Sequence, residues 1–422
     1  MEKISITGAS LMSIQGNCKE EHLANFNHSE KFEDDFDRKY WDKYFEGKSG
    51  RIPLFDPKMF LKNHKSTKFM SRETVIGCVA ASQALKDSAF DETEFYNQEF
   101  QNALIFGAGV SDSIFPLMPA IIKCIDDCGK MNYQEFGDKG FRNLPPLWIL
   151  TKLPNTTTGQ IAVQNQIRGL SYTMVGGPLN GVTALTQSFE LLRNSNINCA
   201  ICGAAESYTH ADYISELADK GVVSLSDNGL LPFDNSSDGC YLTEGASVFI
   251  LEKNKYAIKR GARFYAHVLS YCNCYIPYLS EGNTDYVASR IENCMRTAIA
   301  KSGFSENDID FIQANAYGHK KLDSAEAIAI SNIFGNNILI TSCASYTGYA
   351  IGAYGAISVA FAIMQMENNR ILPIKRTKKF ILEDKLNYVR NMHTHRGIMA
   401  VLVNAFSFTG DACSIILMRG EI

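Results

Sequence analysis

Short apolar, β-branched runs alternate along the chain with stretches whose apolar residues recur three or four apart. "KISITGAS" predicts a strand meeting a turn, and "RETVIGCVAASQALKDSAF" a helix with a small-residue face. "NALIFGAG" predicts a buried strand ending in glycines, a pattern that "NCAICGAAES" repeats further on. "ASVFILE", "DIDFIQAN", "NILITSCAS" and "GIMAVLVNAFSF" predict further strands. Strands buried on both sides read as continuous apolar runs, the mark of a sheet covered by helices on both faces. Several end at small residues, where open α/β sheets place their sites. In "MVGGPLNGVTALTQSFELL" two glycines lead into a helix carrying Leu179, Val182, Leu185, Phe189 and Leu192 on one face.

A charged stretch after Glu252, within "EKNKYAIKRGARFYAHVLSY", is a natural seam, and a new strand is expected from Arg263. Beyond it the strand–helix–strand plan repeats around a Gly-rich helix, a duplication at the level of fold rather than a short repeat. The expected division is therefore 1–255 and 256–422. "DKYFEGKSGR" and "NNRILPIKRTKKFILEDKLN" read as surface loops or loosely packed connections.

At 422 residues, 45% hydrophobic and 20% charged, the chain has the composition of a large globular α/β body. A net charge of −4 gives no electrostatic case for nucleic acid or an anionic membrane. "MEKISITGAS" does not read as a secretory signal, and no run approaches the roughly 20 apolar residues of a membrane helix. A cytoplasmic location is expected. The twelve cysteines fit a reducing compartment. Cys199 and Cys202 form a lone CxxC, Cys124 and Cys128 fit one helix face, and Cys272 and Cys274 one strand face. None has the His or carboxylate company of a metal site, so all are expected to be structural, with no metal and no cofactor.

A helix that starts abruptly after a strand is a common seat for a nucleophile, because its N-terminus lowers a thiol's pKa. Here that seat holds Pro178. Four stretches give the context. "LPFDNSSDGCYLTEGASVFILE" resembles the Pro-Phe-Asp…Gly-Glu-Gly-Ala motif of β-ketoacyl synthases. "IQANAYGHKKLDSAEA" resembles their Glu-Ala-His-Gly-Thr-Gly-Thr…Asp-Pro-Ile-Glu-Ala stretch. "SCASYTGYAIGAYGAISVAFAI" resembles Lys-Ser…Thr-Gly-His…Gly-Ala-Ala-Gly, and "NAFSFTGDACSIIL" resembles Asn-Ser-Phe-Gly-Phe-Gly-Gly-Thr-Asn. "FDPKMFLKNHKSTKFMSRET" adds the family's N-terminal signature, and the motifs keep the family's order from residue 4 to residue 418.

The resemblance implies an α/β thiolase-like fold, two similar βαβαβαββ halves stacked as α-β-α-β-α layers. It also implies the positions where the family keeps its chemistry, a cysteine that carries the acyl chain, two histidines and a lysine. They fall here on Pro178, Asn315, Tyr349 and Ala344, none of them catalytic in kind. Proline deletes both the thiol and one backbone oxyanion donor. It is expected to suit the first turn of the helix. In the family's Gly-Phe-Gly-Gly loop, Ser407 and Thr409 replace glycines around Phe408, while Asn404, Phe406 and Gly410 remain. Glu244 and Asp323 are expected to hold loops by bonding backbone. His319 reads as a packed or solvated histidine, and His210, His267, His393 and His395 have no motif context.

Within the family, "NTTTGQIAVQNQIRGLSYTMVGGPLNGVTALTQ" resembles the chain length factor of type II polyketide synthases, a ketosynthase homologue without the cysteine. That resemblance implies a heterodimer with an active ketosynthase through an edge strand near "LSYTMVGG". It further implies a polyketide, tethered to an acyl carrier protein, entering a tunnel at the interface. Those homologues commonly carry glutamine at the position of Pro178, so no independent decarboxylase role is expected here. Ala108, Ser111, Asp112, Ile114 and Phe115 are the candidate tunnel residues; Ile114 and Phe115 read equally as ordinary core. The alternative is a rewired carrier-protein thioester enzyme, a decarboxylase or hydrolase using Tyr349 or His319. A regulatory homodimer that binds acyl groups is a third.

Overall fold

The computed structural model describes residues 2–27, 49–90, 101–109, 117–144, 147–208, 211–226, 230–277, 279, 282–394 and 397–420. Eleven strands form one continuous sheet. They are β1 (Ile4–Met12), β2 (Asn102–Gly107), β3 (Leu170–Met174), β4 (Cys199–Glu206), β5 (Gly245–Lys253), β6 (Ala266–Tyr275), β7 (Phe311–Gln313), β8 (Leu339–Thr341), β9 (Asn387–Tyr388), β10 (Ala400–Phe406) and β11 (Asp411–Arg419). Their spatial order is β9-β8-β7-β10-β11-β6-β1-β5-β4-β2-β3.

From the middle outward, β1-β5-β4-β2-β3 and β6-β11-β10-β7-β8 are the same arrangement. In each half the first, fifth and fourth strands run antiparallel to their neighbours, and the fourth, second and third run parallel. The helices match as well. α1 (Arg72–Asp87) and α4 (Thr284–Ser302) follow the first strands, α2 (Asn155–Asn165) and α5 (Lys320–Phe334) the second, α3 (Asn180–Asn194) and α6 (Ile351–Asn368) the third. Each half therefore runs βαβαβαββ. The halves join where β1 pairs antiparallel with β6, Ile4 opposite Val268 and Ile6 opposite Ala266.

Helices α3 and α6 form the middle layer. α3 packs on β2, β4 and β5, and α6 touches α3, β4 and β5 on one side and β7 and β10 on the other. α6 is buried all round from Ile351 to Met366, as an apolar helix packed between the two halves of the sheet must be. Glycine sets the closeness of the pair: a Cβ on Gly181 would lie 2.9 Å from the Ala356 Cβ, and one on Gly355 2.3 Å from Val182 Cγ2. α1 and α2 cover the outside of the first half, and α4 with α5 the outside of the second.

The expected strands all form. Residues 368–387 depart from the expectation of a loosely packed connection: Ile371, Leu372, Ile374, Phe380, Ile381 and Leu386 are buried. Lysines between them reach solvent while the apolar residues anchor the segment, Phe380 stacking on Tyr388 at 4.5 Å. Cys124 and Cys128 do not share a helix face either. That helix ends at Ile122, Cys124 is buried in the following turn and Cys128 is exposed. Cys199 and Cys202 are free thiols buried in β4. Among the described residues no helix is long and apolar enough to cross a membrane.

Candidate functional site

β3 ends at Met174, and the turn that follows brings the chain to α3. Gly177 has φ +109°, a conformation that favours glycine. Pro178 is buried in this turn but is not in the helix's first turn: Leu179 is the N-cap residue and α3 begins at Asn180. The Asn180 N–H donates to the Gly177 carbonyl at 3.2 Å, which puts Pro178 second in a four-residue turn. Proline's fixed φ suits that position, and its missing N–H leaves no bond unmade.

Asn180 locks the turn. Its Oδ1 accepts from the Gly176 N–H at 2.8 Å and its Nδ2 donates to the Ala108 carbonyl at 3.1 Å. Ala108, just past β2, is itself buried and donates its N–H to the Met174 carbonyl at 3.1 Å. The next residue, Gly109, donates to Glu206 Oε1 at 2.8 Å. Burial, reinforced by the charge of Glu73, pushes the Glu206 carboxyl well above its ordinary range. Of the candidate tunnel residues, Ala108 thus sits against the Pro178 turn. Ser111, Asp112, Ile114 and Phe115 lie outside the described residues.

The opposite wall is built on the segment after β7. Asn315 Oδ1 accepts from the Phe406 N–H at 2.9 Å, and the Asn315 N–H donates to Glu326 Oε1 at 2.9 Å. Glu326 also accepts from the Ala316 N–H at 3.0 Å and from Asn404 Nδ2 at 2.9 Å. Asp323 accepts from the backbone of Phe233, Gly318 and Tyr317. Burial pushes both carboxyls up to about 7, against the pull of these donors. Glu244 holds the Ile52 N–H and pairs with Arg72 through two bonds.

Ala344 donates its N–H to Ser342 Oγ at 3.2 Å, and that hydroxyl donates to the Ala316 carbonyl at 2.6 Å. Tyr349 stacks on Tyr317, ring centroids 3.9 Å apart and planes 16° from parallel, with Tyr354 edge-on at 5.1 Å. All three rings are buried, which drives their phenols well above the ordinary value. Asn315 Nδ2 has no hydrogen-bond partner among the described residues.

The loop after β10 begins beside Asn315, which holds the Phe406 N–H. Ser407 Oγ lies 2.6 Å from Thr409 Oγ1, which donates to Asp411 Oδ2 at 2.9 Å, and Phe408 is half-buried above them. A Cβ on Gly177 would come within 3.9 Å of Thr409 Oγ1, so this loop faces the Pro178 turn. Asn315, Ala344, Tyr349 and Asn404 are therefore linked through one network. His319 lies apart in role. It caps α5, its Nδ1 accepting from the Leu322 N–H at 3.4 Å, and burial lowers its pKa. His267 Nδ1 shares a hydrogen bond with Ser5 at 2.8 Å, His393 is exposed, and His210 and His395 are outside the described residues. Tyr317, Asn180 and Glu326 had no assigned role in the sequence, although Tyr317 and Glu326 stand inside the quoted Ile312–Ala327 stretch.

No thiol, imidazole or ammonium occupies the four positions, and the nearby Cys240 and Cys343 are buried with thiols pushed up by that burial. No group of three or more His, Cys, Asp or Glu among the described residues could hold a metal ion. The arrangement offers neutral hydrogen-bond donors and aromatic faces.

Residues 1–257 match the model of the beta-ketoacyl synthase N-terminal domain, and residues 279–377 that of the C-terminal domain. Among curated proteins the chain is 26% identical over 360 residues to 3-oxoacyl-[acyl-carrier-protein] synthase 2 of Rhizobium meliloti (strain 1021), covering 82% of this chain and 80% of that one. It is 24% identical over 446 residues to 3-oxoacyl-[acyl-carrier-protein] synthase 1 of Haemophilus influenzae, covering 99% of each. Among solved structures, the ishigamide ketosynthase/chain length factor superposes with a TM-score of 0.82 at 19% identity, over 99% of both chains. The AntDE:AntF complex, a type II PKS acyl-carrier protein with its ketosynthase, gives 0.79 at 20% identity, again over 99% of both.

Proposed function

The chain belongs to the β-ketoacyl synthase family, and from that premise we propose that it is a non-catalytic member that pairs with an active ketosynthase and shapes the space into which a carrier-bound polyketide grows. In type II polyketide biosynthesis such a subunit sets chain length. The observation that carries the reading is the site itself. Decarboxylative condensation needs a thiolate to hold the acyl chain and donors that stabilise an enolate. At the corresponding positions this chain has a buried proline, an asparagine whose oxygen is committed to the Phe406 N–H, an alanine, and a tyrosine stacked on a second tyrosine.

Two surfaces support a partnered role. β3 is an edge strand, and apolar Leu170 on it, Val175 just past its end and Val163 on α2 are about half exposed or more. An unpaired strand edge bordered by apolar side chains is a template for a second chain. Residues 57–69 carry exposed Lys58, Lys65 and Lys68 on two short 3₁₀ turns and Lys62 between them, a strip that suits an acidic docking partner such as a carrier protein. The rewired-enzyme alternative has less support. His319 spends its ring nitrogen capping a helix, and a phenol driven upward by burial, as at Tyr349, is a poor base at neutral pH.

The test is to compare the chain alone with the chain co-expressed with a cysteine-bearing type II ketosynthase and acyl carrier protein. Alone it should neither become acylated nor release carbon dioxide from malonyl-carrier protein. Together the two should purify as a one-to-one complex, and Ala108→Phe should shorten the product while total turnover holds. Acylation of the lone chain, or turnover abolished by Tyr349→Phe, overturns the proposal.

A further inference from the structure

Independently of that reading, β6 and α4 bring three thiols together on the outer side of the second half. Cys272 and Cys274 are two residues apart on β6 and share its α4-facing side. From α4, Cys294 donates its thiol to the Cys272 carbonyl at 3.2 Å. Cys294 is buried, whereas Cys272 and Cys274 are partly exposed, and all three are free. Cationic side chains of α4 flank the cluster, Lys301 beside Cys272 and Arg290 beside Cys274. The hydrogen bond from Cys294, with smaller help from Lys301 and Thr297, brings the Cys272 thiol down to about 6 against the opposing effect of burial. Cys294 moves the other way, above its ordinary value. An accessible thiolate held against a protonated second thiol is the arrangement in which peroxides oxidise one cysteine and its neighbour resolves it.

We propose that Cys272 and Cys294 are a redox-reactive pair, in which hydrogen peroxide or another hydroperoxide oxidises Cys272 and Cys294 closes a disulfide that ties α4 to β6. In the first step the Cys272 sulfur attacks a peroxide oxygen. The S–O bond forms, the O–O bond breaks, and the leaving hydroxide takes a proton to become water. In the second, Cys294 gives up its proton and attacks the sulfenic sulfur. The S–S bond forms, the S–O bond breaks, and a second water departs. Two thiols and one hydrogen peroxide give one disulfide and two waters. Cys274 is the poorer resolving group for Cys272: an extended strand sets residues two apart by about 6.6 Å between Cα atoms, near the upper limit for a disulfide. The Cys294 sulfur already lies 3.2 Å from the Cys272 carbonyl.

Trypsin places Cys272 and Cys274 on the peptide 264–290 and Cys294 on the peptide 291–296. The full chain, treated with hydrogen peroxide, blocked with iodoacetamide and digested, should yield these two peptides as one species that dithiothreitol separates. The Cys294→Ser and Cys294→Ala variants should lose the cross-link and instead carry a dimedone adduct at Cys272, and Cys272→Ser should lose both. Cys128, exposed on the first half, is the internal reference. A Cys272 oxidised no faster than Cys128, a bridge confined to 264–290, or no bridge at all overturns the pairing.

Discussion

Glu326 is a buried carboxyl whose ionisation the fold resists, and the consequence is measurable. Its two oxygens receive the N–H groups of Asn315 and Ala316 and the amide of Asn404. Burial nevertheless raises it from its ordinary 4.5 to about 7, with Asp323 adding a smaller push. Between those two values the folded state holds a proton that the unfolded chain has released, so stability falls as pH rises through this window and levels off above it. From pH 5 to pH 8 the share due to Glu326 is about 2–3 kcal/mol, at 1.36 kcal/mol per unit. Glu326→Gln has nearly the same shape and no titration. Urea unfolding of both proteins across pH 5–8 should therefore show the variant gaining about 2–3 kcal/mol on the native chain, most of it between pH 5 and 7. Taking the difference cancels the titrating groups that do not interact with Glu326; Asp323, which does, contributes through its smaller push. Parallel profiles, or a variant that loses ground as pH rises, would refute the reasoning.

His22 has the opposite sign. It is buried between Ser13 Oγ and the Cys18 carbonyl, and burial lowers it to about 4. Acidification from pH 7 to pH 5 should cost about 2 kcal/mol that a His22→Gln variant does not lose, read by the same titration. Gly181→Ala adds a methyl 2.9 Å from the Ala356 Cβ and 3.0 Å from the Gly352 carbonyl, with no flexible atom to yield. It should lower stability by roughly 1–3 kcal/mol in thermal or urea unfolding. Val163→Asp with Leu170→Asp places charge on the exposed edge around β3. It should weaken association with the ketosynthase at least tenfold in sedimentation or calorimetry while the melting curve of the lone chain stays unchanged.

Most of the sheet was legible because a strand buried on both faces is rich in apolar residues, and β2, β4, β5 and β10 are buried along their whole length with few polar side chains. β11 does not separate from the loop before it in the sequence, because Asn404–Leu417 reads as one motif. The Pro178 turn was legible in kind and misplaced by two residues. Proline's φ suits both the second position of a turn and the first turn of a helix, and the periodicity beginning at Leu179 runs across the boundary. Residues 368–387 misled because lysines interrupt their apolar residues, hiding anchors that only tertiary packing reveals. The meeting of Tyr317 and Tyr349 has no local signal at all, since the rings come from different elements and touch only once β7 and β8 pair. Likewise nothing in the spacing of Cys272 and Cys274 points to Cys294, which a helix delivers from beyond the next turn.

The short antiparallel contact of β1 with β6 makes one sheet of two, and α6, though it belongs to the second half, lines the inner face of the first. Neither half can keep that face dry by itself. A backbone nick near Gly261 would leave two fragments still clasped as one body, and expressing either fragment without the other should give an aggregate rather than a domain.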